Sequence, residues 1–268
     1  MQRIIYIGIL MILTTISAMS QSDEVTIPFD DPSAEKKLKI DLFQGDITIT
    51  GTDRKDVLVK YEVTKEDEEP DNEGSDHQGL KKISGSNLDL EMSSAGNTAV
   101  IESHNWNQNI IFTIEVPSNT NLNVQKNIGG QVNVENLNGS INIENNIGDV
   151  VAKNMGGVVN ASTNAGNVEV HFSSIPDSKN MMFTSTTGNV DLSLPAAFAA
   201  DLKLKTDMGD IYSDLEIVID DNAEKATTES KDGTFKYFNS HWTNASLNGG
   251  GPGITLRTKL GNIYLREK

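Results

Sequence analysis

Cysteine is absent from the 268 residues, which excludes disulfides, thiolate metal sites and lipid attachment at an N-terminal cysteine. Positive charge is scarce: 22 Lys and Arg stand against 38 Asp and Glu, a formal charge of −16. Without a clustered basic stripe, such a surface repels nucleic acid and anionic lipid. After the first 20 residues there is no apolar run of membrane length, so no transmembrane segment is expected once that part is removed. The four histidines, His77, His104, His171 and His241, are scattered, and no two have the close spacing of a zinc hydrolase. Neither a Gly-x-Ser-x-Gly nucleophile turn nor a Gly-x-x-x-x-Gly-Lys-Ser/Thr phosphate loop occurs. These absences leave no catalytic, metal or cofactor residues to assign.

What the chain has is a repeat. Gly130, Gly139, Gly148, Gly157 and Gly166 fall nine residues apart, and each opens a Gly-x-apolar-x-apolar unit: GQVNVENLN, GSINIENNI, GDVVAKNMG, GVVNASTNA and GNVEVHFSS. Apolar residues two apart around a mostly polar one have the period of a strand with one buried face. Repetition of one strand and one turn at fixed period predicts an all-β fold, a parallel β-solenoid whose units bury their apolar faces by stacking. Val132, Val134, Ile141, Ile143, Val150, Ala152, Val159, Ala161, Val168 and Val170 should then share one core. The same signature returns at Gly45-Asp-Ile-Thr-Ile, Gly188-Asn-Val-Asp-Leu, Gly209-Asp-Ile-Tyr and Gly261-Asn-Ile-Tyr-Leu, so the coil spans nearly the whole chain. Between these, Met181-Met-Phe-Thr-Ser and Asp201-Leu-Lys-Leu-Lys supply second strands, giving about two short strands per rung of 18–22 residues. Gly130 would then stack on Gly148 and Gly139 on Gly157. A three-strand rung, suggested by Lys126-Asn-Ile-Gly-Gly and Lys153-Asn-Met-Gly-Gly at a spacing of 27, would stack Gly130 on Gly157 instead.

Asn136, Asn145 and Asn154 recur at position seven of the units. Asn tolerates positive backbone φ at bends, and stacked amides can hydrogen-bond along a coil, so these residues read as a ladder or as the lining of a ligand groove. Two stretches interrupt the repeat. Residues 62–79, with Glu66-Asp-Glu-Glu-Pro-Asp-Asn-Glu, read as a solvated acidic loop; the spacing is that of neither an EF-hand nor a nonapeptide calcium coil. Residues 215–251 form an insertion containing Phe235-Lys-Tyr-Phe-Asn-Ser-His-Trp242. Tyr237, Phe238 and Trp242 are candidate partner-binding residues there, or a cover for the coil's open end. Tyr212 and Tyr264 hold the same outward position in Gly-Asp-Ile-Tyr and Gly-Asn-Ile-Tyr and should stack on adjacent rungs. They are either a platform for a sugar or protein, with Trp242 or Tyr237 beside it, or a pair that stiffens the last turns.

Residues 1–20 carry Arg3, the apolar run Ile4 to Ile16 and small residues at Ala18 and Ser20, the pattern of a cleavable signal peptide. Residues 21–268 then form a single β-solenoid domain. The serious enzymatic alternative is a carbohydrate-cleaving β-helix, since successive rungs can bring two carboxylates close enough for paired-acid hydrolysis. Outward acids such as Glu169 and Asp191 are, however, separated by an insertion, and no Asp-Asp pair lies within the coil.

From Leu38-Lys-Ile-Asp-Leu-Phe-Gln-Gly-Asp-Ile-Thr-Ile-Thr-Gly, through Ile114-Glu-Val-Pro-Ser-Asn-Thr-Asn-Leu-Asn-Val and the glycine block, to Gly249-Gly-Gly-Pro-Gly-Ile-Thr-Leu-Arg-Thr-Lys-Leu-Gly-Asn-Ile-Tyr-Leu, the chain resembles the bacterial putative-adhesin family of β-strand repeats, a domain of unknown function. The likeness covers about residues 36–268. It implies a β-solenoid exported to the periplasm, the outer cell surface or the medium, with an adhesive or scaffolding role and no active-site motif to transfer. This chain departs by placing Asn where many repeats have Asp beside the Gly, and by the 215–251 insertion. The expected function is therefore a non-enzymatic protein that binds an envelope protein or glycan, with a carbohydrate-active enzyme or a purely structural periplasmic protein as alternatives. No cofactor and no nucleic-acid partner is expected.

Overall fold

The computed structural model describes residues 22–31, 33–64, 89–106, 108–176, 179–220, 227–231, 234–238 and 242–268. Residues 1–20, with the expected signal peptide, and residues 65–79 of the acidic stretch lie outside them. Glu62 to Thr64 close the strand Asp56–Thr64 rather than opening a loop.

Among the described residues the fold is all strand, built as two largely parallel sheets facing each other. The chain runs along one strand, turns at a glycine and enters the other sheet, as in Ile141–Ile147 followed by Val150–Met155. The sixteen-residue strand Lys37–Thr52 does this without a break, pairing in the first sheet up to Gln44 and in the second from Gly45. Register partners are Val132, Val150 and Val168 in the second sheet, and Ile141 and Val159 in the first, each 18 residues apart. The step from Val168 to Val190 is 22, because the connection between Phe172 and Met181 is longer than its counterparts. The three-strand stacking is ruled out: Gly148 sits against Gly130, and Gly157 against Gly139.

Alternation along each strand sends one set of side chains between the sheets. The ten apolar residues from Val132 to Val170 are buried there with Phe112, Phe172, Phe183 and Phe198. Phe172 meets Phe183 edge-on at 6.4 Å and Phe198 at 5.9 Å, which fills the core where the small residues of the glycine block give way.

Stacking order departs from chain order at both ends. Gly253–Leu260 lies between Met181–Thr187 and Ala200–Met208 in the first sheet, and Ile263–Glu267 lies between Val190–Leu194 and Ile211–Ser213 in the second. Lys37–Thr52 is likewise lodged between the strands of 98–117 and those of 121–135. Antiparallel strands continue the sheets at the ends: Asp56–Thr64 and Ser22–Pro28 beyond Asn109–Pro117, Glu91–Ala95 beyond Thr98–Ser103, and Thr243–Leu247 and Ile217–Ile219 beyond Ala200–Met208. The insertion thus supplies two strands to the first sheet, and Thr227–Lys231 with Thr234–Phe238 form a separate hairpin.

Candidate functional site

The turn from first to second sheet fixes everything outside it. Gly45, Gly130, Gly148, Gly166, Gly188, Gly261 and Gly209 form one column, each with positive φ. At Gly148 (φ 124°) an added Cβ would collide with the carbonyl oxygen of Gly130, and at Gly166 (φ 150°) with that of Gly148, so the close approach and the backbone conformation both require glycine. The next residue completes the turn. Its backbone N–H donates to the side-chain Oδ1 of the equivalent residue one strand away: Gln131 to Asp46 at 2.7 Å, Asn167 to Asp149 at 2.7 Å, Asn189 to Asn167 at 2.9 Å, Asn262 to Asn189 at 2.8 Å and Asp210 to Asn262 at 2.9 Å. This Asx column runs beside the glycines, and the Gly-Asp/Asn dipeptide at almost every repeat is its signature in the sequence.

The position-seven asparagines divide between the two sheets. Asn136 and Asn154, both with positive φ, stack with a 3.2 Å amide bond. Asn145 instead belongs to a buried polar column that donates to the glycine carbonyls: Asn145 and Thr163 to Gly148 at 2.8 and 3.0 Å, Ser185 to Gly166 at 2.8 Å, Thr258 to Gly188 at 2.7 Å and Thr206 to Gly261 at 2.8 Å. Lys126 holds this place in its own strand, donating to the carbonyls of Gly129 and Gly130. Burial pulls its ammonium down to about 8, against a smaller opposing pull from Asp46.

On these turns the outer face of the second sheet carries an ordered row, Glu169, Asp191, Tyr264 and Tyr212, each paired in register with the next. Tyr264 and Tyr212 stack with ring centroids 5.3 Å apart and an interplanar angle of 13°. The Arg266 guanidinium lies 5.0 Å from the Tyr264 ring, and its Nε donates to both oxygens of Asp191 at 2.9 Å. That hydrogen bond to Asp191 raises the guanidinium further above its already high range. Asn262 Nδ2 donates to the Tyr264 hydroxyl at 3.0 Å, and the Tyr212 hydroxyl donates to Asp210 Oδ2 at 3.3 Å. The Asp210 charge, foremost, raises the Tyr212 phenol. Tyr212 is 49% exposed on the short edge strand Ile211–Ser213, at the free end of the stack.

Glu169 and Asp191 are thus register neighbours, not separated as the sequence spacing suggests, because the longer connection between Phe172 and Met181 leaves the register unchanged. Glu169 is held by His171 at 2.8 Å and Lys153 at 3.8 Å, and Asp191 by Arg266. Trp242 does not join the tyrosines. It precedes Thr243–Leu247 in the first sheet, where its ring meets Lys205 Nζ at 5.7 Å. Tyr237 and Phe238 lie on the hairpin strand Thr234–Phe238, and their side chains fall outside the described residues. Among the described residues no group of three His, Asp or Glu is placed to hold a metal ion.

Residues 129–240 match the model of the Toastrack DUF4097 family. The matched segment opens at the Gly129-Gly130 turn and takes in the nine-residue block, so the resemblance read from the repeats has the support of a family model, one for a domain of unknown function. Two solved structures are similar in part. A putative cell adhesion protein from Clostridium sporogenes is 10% identical, covering 92% of this chain and 100% of its own, with a TM-score of 0.49. A putative adhesin from Bacteroides fragilis is 11% identical over 93% of this chain and 98% of its own, with a TM-score of 0.29. No curated protein matches the chain.

Proposed function

We propose that this chain is an exported, non-enzymatic interaction protein, adhesin-like or scaffolding, that grips a glycan or an envelope protein on the outer face of its second sheet. In this reading the two sheets are the faces of a β-solenoid with rungs of 18–22 residues, and the coil acts as a stiff support. The observation that carries the reading is the Arg266–Tyr264–Tyr212 stack, ending on an exposed ring face and anchored by Asp191. Aromatic faces beside a fixed, charge-assisted Arg–carboxylate pair suit a flat, hydroxylated ligand or a partner's side chain. Export rests on the signal-like residues 1–20. Among the described residues no helix is long and apolar enough to cross a membrane.

The platform is tested by screening the protein and the Tyr212→Ala, Tyr264→Ala double variant on a glycan array and in partner capture. The double variant should keep its thermal midpoint within a few degrees and lose the ligand by about tenfold or more, as expected for removal of two stacked rings. Unchanged binding would remove the site. One observation favours a second reading, a carbohydrate-cleaving enzyme: Glu169 and Asp191 are register neighbours on the same face. Both carboxylates are engaged by cations, which suits an anchoring role, and a polysaccharide-cleavage screen separates the two readings.

A further inference from the structure

The opposite face of the molecule carries a second surface, which does not depend on the tyrosine platform. The outer side of the first sheet holds a groove of about 620 Å³ in which every lining side chain is polar. Register sets its axis. Asp41, Gln125, Glu144, Ser162, Thr184 and Arg257 are paired each to the next across six parallel strands, a row of roughly 24 Å at ordinary strand spacing. Along this row the charge changes sign. Asp41 and Glu144 stand at one end, Ser162 and Thr184 in the middle with Asn146, Asn164 and Thr186 beside them, and Arg257 and Lys259 at the other end.

Two features point to a ligand. Arg257 and Lys259 are exposed, and among the described residues neither has a carboxylate within ion-pair distance, whereas Lys205, next in the row, is held by Asp207 at 3.6 Å. The floor offers amides and hydroxyls at strand spacing and no apolar pocket for a peptide side chain, and each floor strand is paired on both sides, leaving no edge for a peptide to extend.

We propose that this groove binds an extended oligosaccharide that is acidic at one end: its anionic group sits at Arg257 and Lys259, its hydroxyls bond to the central amides and hydroxyls, and its uncharged end lies over Asp41 and Glu144. The chain's overall negative charge is compatible with this, because exposed charges act over about a Debye length, roughly 8 Å at physiological salt, so the ligand's single anion is governed by the two nearby cations. A uniformly acidic polymer would meet Asp41 and Glu144 and be repelled.

The test is binding of the whole protein to four probes of equal length: a glucuronate-terminated oligosaccharide, its phosphate-terminated counterpart, the neutral parent and a uniformly acidic oligogalacturonate. The two end-charged probes should bind tightest, more weakly as salt rises, and their ranking identifies carboxylate or phosphate as the anion. Arg257→Glu with Lys259→Glu should weaken them about tenfold at an unchanged thermal midpoint, and Arg257→Gln with Lys259→Gln by a smaller factor. Repeating the measurement in the Tyr212→Ala, Tyr264→Ala background removes any contribution of the platform, so failure here and failure of the platform are separate results. Equal binding of the neutral parent, indifference to both cation variants, or tighter binding of a single-stranded oligonucleotide would overturn the assignment.

Discussion

At the scale of single residues, the turn between the sheets sets the geometry. Gly148 combines φ 124° with a collision course toward the Gly130 carbonyl, whereas Gly96, also at positive φ, has open space around its Cα. Gly96→Ala should therefore cost about 1–2 kcal/mol for the left-handed backbone alone, and Gly148→Ala clearly more, since two strands must part. Thermal denaturation of both variants checks the order; equal midpoints would show that the column relaxes freely. Lys126 gives a pH signature. Its folded-state value of about 8 lies below the unfolded 10.5, so between these values the unfolded chain binds more protons, and stability should rise with pH across that window. Below pH 8 the cost of burying the charge is fully present. The equivalent position one strand away is Leu42, so Lys126→Met should fold and flatten the rise between pH 8 and 10.5. Denaturant melts of both proteins across that range measure the difference, and parallel curves would show that Lys126 is not desolvated.

At the scale of strands, the apolar positions were legible in the sequence because alternation is local: residues from Val132 to Val170 lie where the period puts them. The order of stacking was not. Each edge of a Gly-Asx strand pair presents the same turn and the same apolar pattern, so no residue in 253–267 announces that its neighbours are both 181–194 and 200–213. The Asx column was not legible either, since a side-chain acceptor for the next strand's N–H has no period of its own beyond the glycine's. Of the candidate site, the Tyr212–Tyr264 stack was legible from equal position in two repeats, while the Glu169–Asp191 pairing was hidden by the longer connection between Phe172 and Met181. The inserted strand has a consequence for stability. Deleting residues 253–268 should lower hydrogen-exchange protection in both 181–194, which would keep only 159–172 as a parallel neighbour, and 200–213, which would keep none. Loss confined to 200–213 would contradict the observed order.

At the scale of the whole molecule, two sheets closed over one apolar core leave two outward faces with different chemistry, one aromatic and salt-bridged, the other polar with charge graded along its length. Both are built from rows of side chains that the glycine and Asx columns hold at strand spacing, and the paired acids on the aromatic face are engaged by Lys153, His171 and Arg266. The proposed role is that of a scaffold that binds its ligand without turning it over. The most direct measurement takes each glycan retained by the immobilised full chain and assays the same sample for release of new reducing ends. Saturable binding with no release is predicted, whereas release abolished by Glu169→Gln or Asp191→Asn would contradict the account.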